Sequence, residues 1–545
     1  MDKVGLTLGE GRTIRKCLWL SYKMRKRGGG VKFLGQQMPV LDAEMPFNPF
    51  VNRHVSISSN YELAKTLLLL PLFVFRVSVF ILLLVVGLVL TKLALLGARE
   101  VLNAPLPLWR RKLLWPVRYL ARCLLFFCGY HWIGVKGKPA RKRDAPVLVC
   151  NHVTFVDPVY IFYKHLPVIV TAEENLNYPF MGTIISAMQP ITIRRESQES
   201  RNKAAVEIRK RAKSLEWKNS LMIFPEGTTT NGKAMVSFKS GAFSSSSPVQ
   251  PMVVRYPHVH LDPSWVADGP SAYALLFRLM TQFHNYMEIE YLPVMRPSKQ
   301  ENPRSFAERV RAEMARALNV VVTEHTFDDV SMVDAARGAS SKLDLLEFGR
   351  FERLYRVTPK EAKRFFRKFR ALDVQRNGVA SEEDLADYLD LPSCEAVSKV
   401  YDLFDSKGCG YFNFRQYAAG LLFISRHERF REAAEAVFER LDRDGDGLLS
   451  SGDFSAGLTE LVPGTSREQA KALWDRINAK QGRFVHRIEL LTFLDRNPEY
   501  VAVFLFGAPG LLSNVKAETA ILEPSSTDQK NFTGSTTDAS PGPSV

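Results

Sequence analysis

Between about residues 130 and 325 the chain alternates short apolar runs with polar stretches of helical period. "PVLVC" (146–150), "PVIVTA" (167–172), "QPITIR" (189–194), "SLMIF" (220–224) and "VQPMVVRY" (249–256) read as strands, and "SRNKAAVEIRKRAKSLEW" (200–217) reads as an exposed or half-buried helix. This alternation predicts an α/β domain, a sheet with helices packed on it. In such folds functional groups gather where strands stop and loops begin. Beyond the domain the texture of residues 360–500 is helical throughout, predicting a separate all-α module.

Ahead of the domain the pattern is different. Leu67–Leu90 reads "LLLLPLFVFRVSVFILLLVVGLVL", with Arg76 as its single charge. As a helix it would be about 36 Å long, enough for a hydrocarbon core of about 30 Å. Pro71 would kink such a helix, and an arginine inside a bilayer costs on the order of 3 kcal/mol unless it snorkels or is paired. A re-entrant hairpin therefore stands beside a through-going span. Residues 109–135, "WRRKLLWPVRYLARCLLFFCGYHWIGV", mix arginine with aromatic rings, which places cations at lipid phosphates and rings at the acyl boundary. Basic residues flank the apolar run on both sides, so the flanking charges give no clean orientation and lean towards both flanks lying in the cytosol.

Charge sharpens that picture. The net charge is +16 over 545 residues, but residues 1–150 hold 24 lysines and arginines against 7 acids, +17, leaving the other 395 near −1. A basic front end works against an anionic partner. The apolar segment makes that partner a phospholipid membrane and excludes nucleic acid. The six cysteines show neither metal spacing nor a disulfide framework, as expected on a reducing, cytosol-facing side. The first 30 residues are polar and basic and do not read as a cleaved signal peptide.

Three strand ends carry candidate chemistry. The first, "VLVCNHVTFVDP" (147–158), sets His152 five residues before Asp157, and Pro158 opens a predicted helix, which makes Asp157 its N-cap. The second, "ITIRRESQESR" (191–201), supplies Arg194, Arg195 and Arg201, suited to a phosphate. The third, "LMIFPEGTTTNGK" (221–233), ends in Pro225–Glu226–Gly227–Thr228. A carboxylate in that Gly/Thr-rich loop suits the polar part of a substrate.

Over about 120 residues this order resembles the glycerolipid acyltransferases, whose motifs are H-x₄-D, an Arg-bearing block, an E-G-T block and a Pro-containing block. Here they stand as His152 and Asp157, Arg195, "PEGT" (225–228) and "PVQP" (248–251). The resemblance implies that an acyl-CoA thioester meets a lipid hydroxyl at His152, the general base, with Asp157 orienting its ring. It also implies that Arg195, Glu226, Gly227 and Thr228 bind the acceptor, with Arg194 as the rival for the arginine's role.

In the all-α module, "DRDGDGLLSSGD" (442–453) fits an EF-hand loop. Asp442, Asp444 and Asp446 stand at positions 1, 3 and 5, Gly447 makes the turn, Leu448 offers its carbonyl, Ser450 is at position 9 and Asp453 replaces the usual glutamate at 12. The loops at 373–384 and 405–416 are poorer, with Gln375 in one and Lys407 and Cys409 in the other where acids belong, and 478–489 lacks ligands. Ca²⁺ at the third loop, bound weakly, is the expectation.

An apolar anchor, an H-x₄-D domain and tandem EF-hands together resemble the lysophosphatidylcholine and lysophosphatidylethanolamine acyltransferases over residues 45–505. Asn151 before the histidine is found in the wider family and in the ethanolamine-type members, a departure from the choline-type animal enzymes, which carry Pro-His there. The expected organisation is a basic N-terminal region (1–60), membrane anchor and interfacial helices (61–135), a glycerolipid acyltransferase-type α/β domain (136–325), a linker (326–358), the EF-hand module (359–505) and a disordered tail (506–545) that carries the sequon Asn531–Phe532–Thr533. The expected activity is acyl-CoA-dependent acylation of the sn-2 hydroxyl of a lysophospholipid. Lysophosphatidic acid or an ether-lysophospholipid is the alternative acceptor, and a membrane-tethered calcium sensor with an inactive acyltransferase domain is the alternative of another class. By resemblance the protein resides in the endoplasmic reticulum membrane, with Golgi or lipid droplet as alternatives, and its domains face the cytosol.

Overall fold

The computed structural model describes residues 31–38, 48–52, 57, 59–97, 104–178, 181–195, 197–335, 347–479 and 482–511. Most of the basic N-terminal region, the middle of the linker and the tail beyond residue 511, with its sequon, lie outside these. The chain divides into two compact units, one built on residues 41–379 with 413–419, the other on 380–412 and the segment from 420 onward together with the N-terminal residues.

In the first unit the helices α1 (Asn60–Leu68), α2 (Leu70–Leu95) and α3 (Leu108–Phe127) precede the sheet. The domain then runs β1 (Gly134–Lys136), β2 (Val147–Cys150), α4 (Val156–His165), β3 (Val168–Ala172), α5 (Met181–Ala187), β4 (Ile191–Ile193), α6 (Gln198–Lys213), β5 (Leu221–Ile223), β6 (Val249–Arg255), α7 (Ala272–Met280), β7 (Glu288–Tyr291) and α8 (Pro303–Leu318). Every strand read from the sequence is present within two residues of its expected bounds. The spatial order is β1-β7-β6-β2-β5-β3-β4, parallel throughout except between β7 and β6.

Strand β2 shows why its run is unbroken apolar. Val147 and Val149 enter one core with Ile208, Phe306 and Val310 of α6 and α8. Leu148 and Cys150 enter the other, with Tyr160, Leu275 and Leu279 of α4 and α7. Helices cover both faces, so alternate side chains are equally buried.

The apolar helix is not free-standing. Pro71 sits in the first turn of α2, where its missing N–H costs nothing, so the expected kink is absent and the chain breaks at Leu69 instead. Arg76 is buried and donates from Nη1 to the carbonyl of Met280 (2.9 Å) and to that of Gln282, and from Nη2 to the carbonyl of Phe283 (3.0 Å), at the C-terminal end of α7. Beside it Glu62 of α1 ion-pairs Arg278 at 3.0 Å. The opposite end of α2 is capped by Arg110, which donates to the carbonyls of Ala94 and Leu96 (both 2.7 Å). Arg118 and Arg122 likewise donate to the carbonyls of Tyr163, Lys164, Tyr130 and His131. Three of the arginines expected at lipid phosphates are therefore committed to backbone carbonyls, which in an apolar setting have no water to turn to.

The linker begins with α9 (Phe327–Ala335) and ends with α10 (Phe348–Tyr355), after which α11 (Pro359–Leu372) leads into the loop at 373. In the second unit α12 (Phe430–Leu441) and α13 (Ser451–Leu461) flank the loop that starts at Asp442, and α14 (Arg467–Ile477) and α15 (Arg487–Arg496) flank the next. Leu448–Leu449 pairs antiparallel with Val485–His486 between the two loops.

Candidate active site

The carboxyl ends of β2, β5 and β6 lie side by side, and His152, Glu226 and Tyr256 follow them. The turn after β2 wraps around Asp157. Its Oδ2 accepts from His152 Nδ1 (2.9 Å), from the N–H of Val153 (2.7 Å) and from the N–H of Thr154 (2.9 Å), while its Oδ1 accepts from the hydroxyl of Tyr256. Asp157 lies in the first turn of α4 rather than at its N-cap, which is Phe155. The sequence-based expectation of a cap is corrected accordingly: the carboxylate reaches back and ties the turn before the helix.

With Nδ1–H donated to Asp157, the imidazole presents Nε2 as an acceptor. Its ring stacks on Phe224 (centroids 4.0 Å apart, planes at 16°), and its side chain is 19% exposed, towards a cavity of about 1630 Å³. The dyad has the arrangement of the serine-hydrolase triad with the nucleophile left to come from a substrate.

Glu226 is placed otherwise than expected. It is fully buried, does not line the cavity, and accepts from the backbone N–H of His152 (2.9 Å) and, at 3.4 Å, the hydroxyl of Thr230. Its expected role as a substrate ligand is thereby corrected to that of a brace beneath His152. Burial pushes its carboxyl up to about 8, against the opposing pull of the His152 N–H and the Thr230 hydroxyl. A carboxyl raised in the folded state lends stability that is whole below about 4.5 and is lost as pH rises through about 8. Glu226→Gln keeps an acceptor for the His152 N–H without the charge. Its Tm should stay flat from pH 6 to 9 while that of the wild type falls, and parallel curves would refute the buried-acid assignment.

Thr228 also stays off the cavity, with its hydroxyl turned to the Thr229 carbonyl at 3.4 Å. Gly227 and Arg195 do line it. Gly227 has φ +71°, a turn conformation that favours glycine. Arg195 lies over the Phe327 ring (4.2 Å) and donates to the Gly227 carbonyl at 3.3 Å. Arg194 ion-pairs Glu173 at 2.9 Å outside the cavity, whereas Arg195 lines it. Arg201 joins it, holding the Arg195 carbonyl. Asn151 exchanges two hydrogen bonds with the backbone of Val254 (2.8 and 3.0 Å), which assigns it to clamping β2 against β6.

Tyr256 is the residue that sequence reasoning missed. The usable signal is its place at the end of a strand neighbouring β2. Tyr256→Phe leaves Asp157 Oδ1 without a donor in a buried site, a loss of about 1–3 kcal/mol. The expected result is a fall of about tenfold or more in kcat with KM nearly unchanged, and a kcat equal to wild type would remove Tyr256 from the machinery.

His152, oriented by a buried carboxylate, thus faces a large, partly apolar cavity. The acyltransferase family profile matches residues 133–255, the span that holds the dyad. The chain is 37% identical to the lysophospholipid acyltransferase LPEAT2 of Arabidopsis thaliana, over 87% of this chain and 88% of that one. It is 30% identical to lysophosphatidylcholine acyltransferase 2 of Mus musculus (88% and 89%) and to lysophosphatidylcholine acyltransferase 1 of Homo sapiens (84% and 87%). The chain belongs to the lysophospholipid acyltransferase family.

Proposed function

We propose that the protein transfers an acyl group from acyl-CoA to the sn-2 hydroxyl of lysophosphatidylcholine or lysophosphatidylethanolamine in a membrane. The observation that carries this reading is the cavity faced by His152. On the helical hairpin it is lined by Phe80, Leu84, Gly87, Leu120 and Leu124, a surface for acyl chains, and on the far side by Arg195 and Lys239 of the loops and Arg201 of α6, a surface for phosphates. Its volume of about 1630 Å³ exceeds that of drug-sized sites, leaving room for a chain and a head group together.

His152 Nε2 takes the hydroxyl proton as that oxygen attacks the thioester carbonyl. The C–S bond then breaks, the new C–O bond remains, and the proton passes to the departing CoA sulfur. Asp157 stabilises the transient imidazolium and is itself held by Tyr256 and two backbone N–H groups. Arg195 and Arg201 would grip the acceptor's phosphate.

The hairpin of α2 and α3 is read as lying along the domain within one leaflet. Phe73 and Val77 of α2 pack with α7 residues, Ala94 packs near Ala187, and Val74, Phe75, Ile81, Leu82, Val85, Val89 and Leu93 form one exposed apolar face. Residence in the endoplasmic reticulum, facing the cytosol, rests on the family resemblance.

The loop at 442–453 is proposed to bind Ca²⁺. Ligand atoms of Asp442, Asp444 and Asp446 lie within 4.8 Å of one another, a donor set of hard oxygens, and Asp442 accepts from the N–H of Gly447 at 2.9 Å, folding the loop around its first ligand. Asp453 Oδ2 is hydrogen-bonded to Ser450 at 2.5 Å, so the twelfth position is drawn toward the helix cap. Calorimetric titration should give weak Ca²⁺ binding that Asp442→Ala removes, and heat unchanged in that variant would rule the loop out.

The deciding experiment for the enzyme is CoA release by membranes holding the protein, offered a panel of lysophospholipids that includes lysophosphatidic acid and ether-linked acceptors. Release with a single head group names the acceptor. No release across the panel, with Ca²⁺-dependent partner binding intact, favours the sensor.

A further inference from the structure

The first three turns of α3 and the C-terminal end of α4 border a second cavity of about 450 Å³, sharing no lining residue with the catalytic one. Its walls carry Arg111, Lys112 and Arg118 and no acidic side chain. Arg118 uses Nε and one terminal nitrogen on the carbonyls of Tyr163 and Lys164. Arg111 is steadied by Asn219 Oδ1 at 3.4 Å, and Asn219 in turn donates to the Leu166 carbonyl. Among the described residues neither Arg111 nor Lys112 has a carboxylate partner. Burial, with the charges of Lys164 and Arg118 beside it, lowers the His165 imidazole to about 4, and its Nε2 is hydrogen-bonded to the Tyr291 hydroxyl at 2.7 Å.

Leu108 and Trp115, 73% and 56% exposed, border the same cavity. They stand on the amphipathic helix whose other exposed rings are Trp109, Tyr119 and Phe126, and whose partner is the apolar α2. Converging cations without counter-ions and an apolar sill on a bilayer-facing helix fit one ligand chemistry: a phosphate ester attached to hydrocarbon.

We propose that this cavity holds the head group of an anionic phospholipid of the surrounding bilayer, at a site apart from the catalytic one. The phosphate lies between Arg111, Lys112 and the free nitrogen of Arg118, and the glycerol and chains pass over Leu108 and Trp115. A bound anionic lipid replaces the missing counter-ions and holds the hairpin at a set depth. The inference rests on the reading of α2 and α3 as membrane-embedded.

The test uses the full chain reconstituted in phosphatidylcholine vesicles with spin-labelled phosphatidylserine or phosphatidylcholine. The immobilised fraction of each label is read for wild type, Arg111→Ala/Lys112→Ala, and Arg209→Ala/Lys210→Ala, a control of equal charge on exposed α6 positions. Wild type and control should favour the serine lipid, and the first double variant should lose that preference, by roughly fivefold in relative affinity for each cation removed. Its transfer activity in neutral vesicles should equal wild type. An unchanged preference in Arg111→Ala/Lys112→Ala, or an equal loss in the control, overturns the site. Displacement of the label by soluble glycerol 3-phosphate overturns the lipid assignment in favour of a free phosphate ester. Absence of any immobilised lipid overturns the embedded hairpin, and the site with it, whereas inactive wild type with normal immobilisation counts against the enzymatic reading alone.

Discussion

Replacing His152 by alanine is expected to lower kcat by roughly 10²–10⁴, the range for losing a positioned general base. The loss should come without unfolding, because the scaffold holds position 152 by its backbone. Its N–H is held by Glu226 at 2.9 Å and its carbonyl accepts from Thr230 at 2.8 Å, and alanine keeps both. Asp157 keeps three of its four donors. The double variant His152→Ala/Asp157→Ala should be little slower than the single, since the carboxylate acts through the ring it orients. Acyl transfer measured with Tm on the same preparations decides the matter. Retained activity would move the base elsewhere, and a collapsed Tm would show that the ring is structural.

The second large effect is expected at Arg76. Its guanidinium satisfies three carbonyls where α7 ends, and leucine would leave them unpartnered beneath an apolar helix. Bonds to a charged donor are worth about 1.5–3 kcal/mol each, with part recovered by relaxation. Arg76→Leu should therefore cost on the order of 4 kcal/mol, or roughly 10 °C in Tm for a domain of this size. Arg76→Lys should recover little, because a single ammonium cannot span a set of carbonyls as a planar fork does. Thermal unfolding in detergent compares the three proteins. An equally stable leucine variant would mean that the hairpin is held by its apolar contacts alone, and that the arginine's burial is incidental.

The Arg76 prediction turns on a residue whose importance the sequence signalled and whose partners it withheld. An arginine within an apolar run announces a buried obligation. The carbonyls that meet it lie more than 200 positions away, at Met280 and Gln282, and no periodicity reports a contact of that range. The same holds for Glu226. Its loop was recognisable, but a carboxylate after a strand can face the cavity or the core, and here it faces the core.

Local order decided what the sequence could determine alone. Buried strands bounded by Gly, Pro and charged turns are written in neighbouring residues, as is the five-residue spacing that lets Asp157 reach back to His152 Nδ1. Loop geometry around Asp442 follows equally from adjacent positions. Tertiary structure decided whatever depends on which face a side chain takes when both faces of a sheet are covered. Arg194 and Arg195 are neighbours beyond β4 that point to different surroundings, one to Glu173 and one to the cavity. Tyr256 became part of the site because β6 lies beside β2, a pairing across about a hundred residues. Burial sets the cost of leaving Asp157 and Arg76 unsatisfied, and burial exists only once distant segments have closed over them.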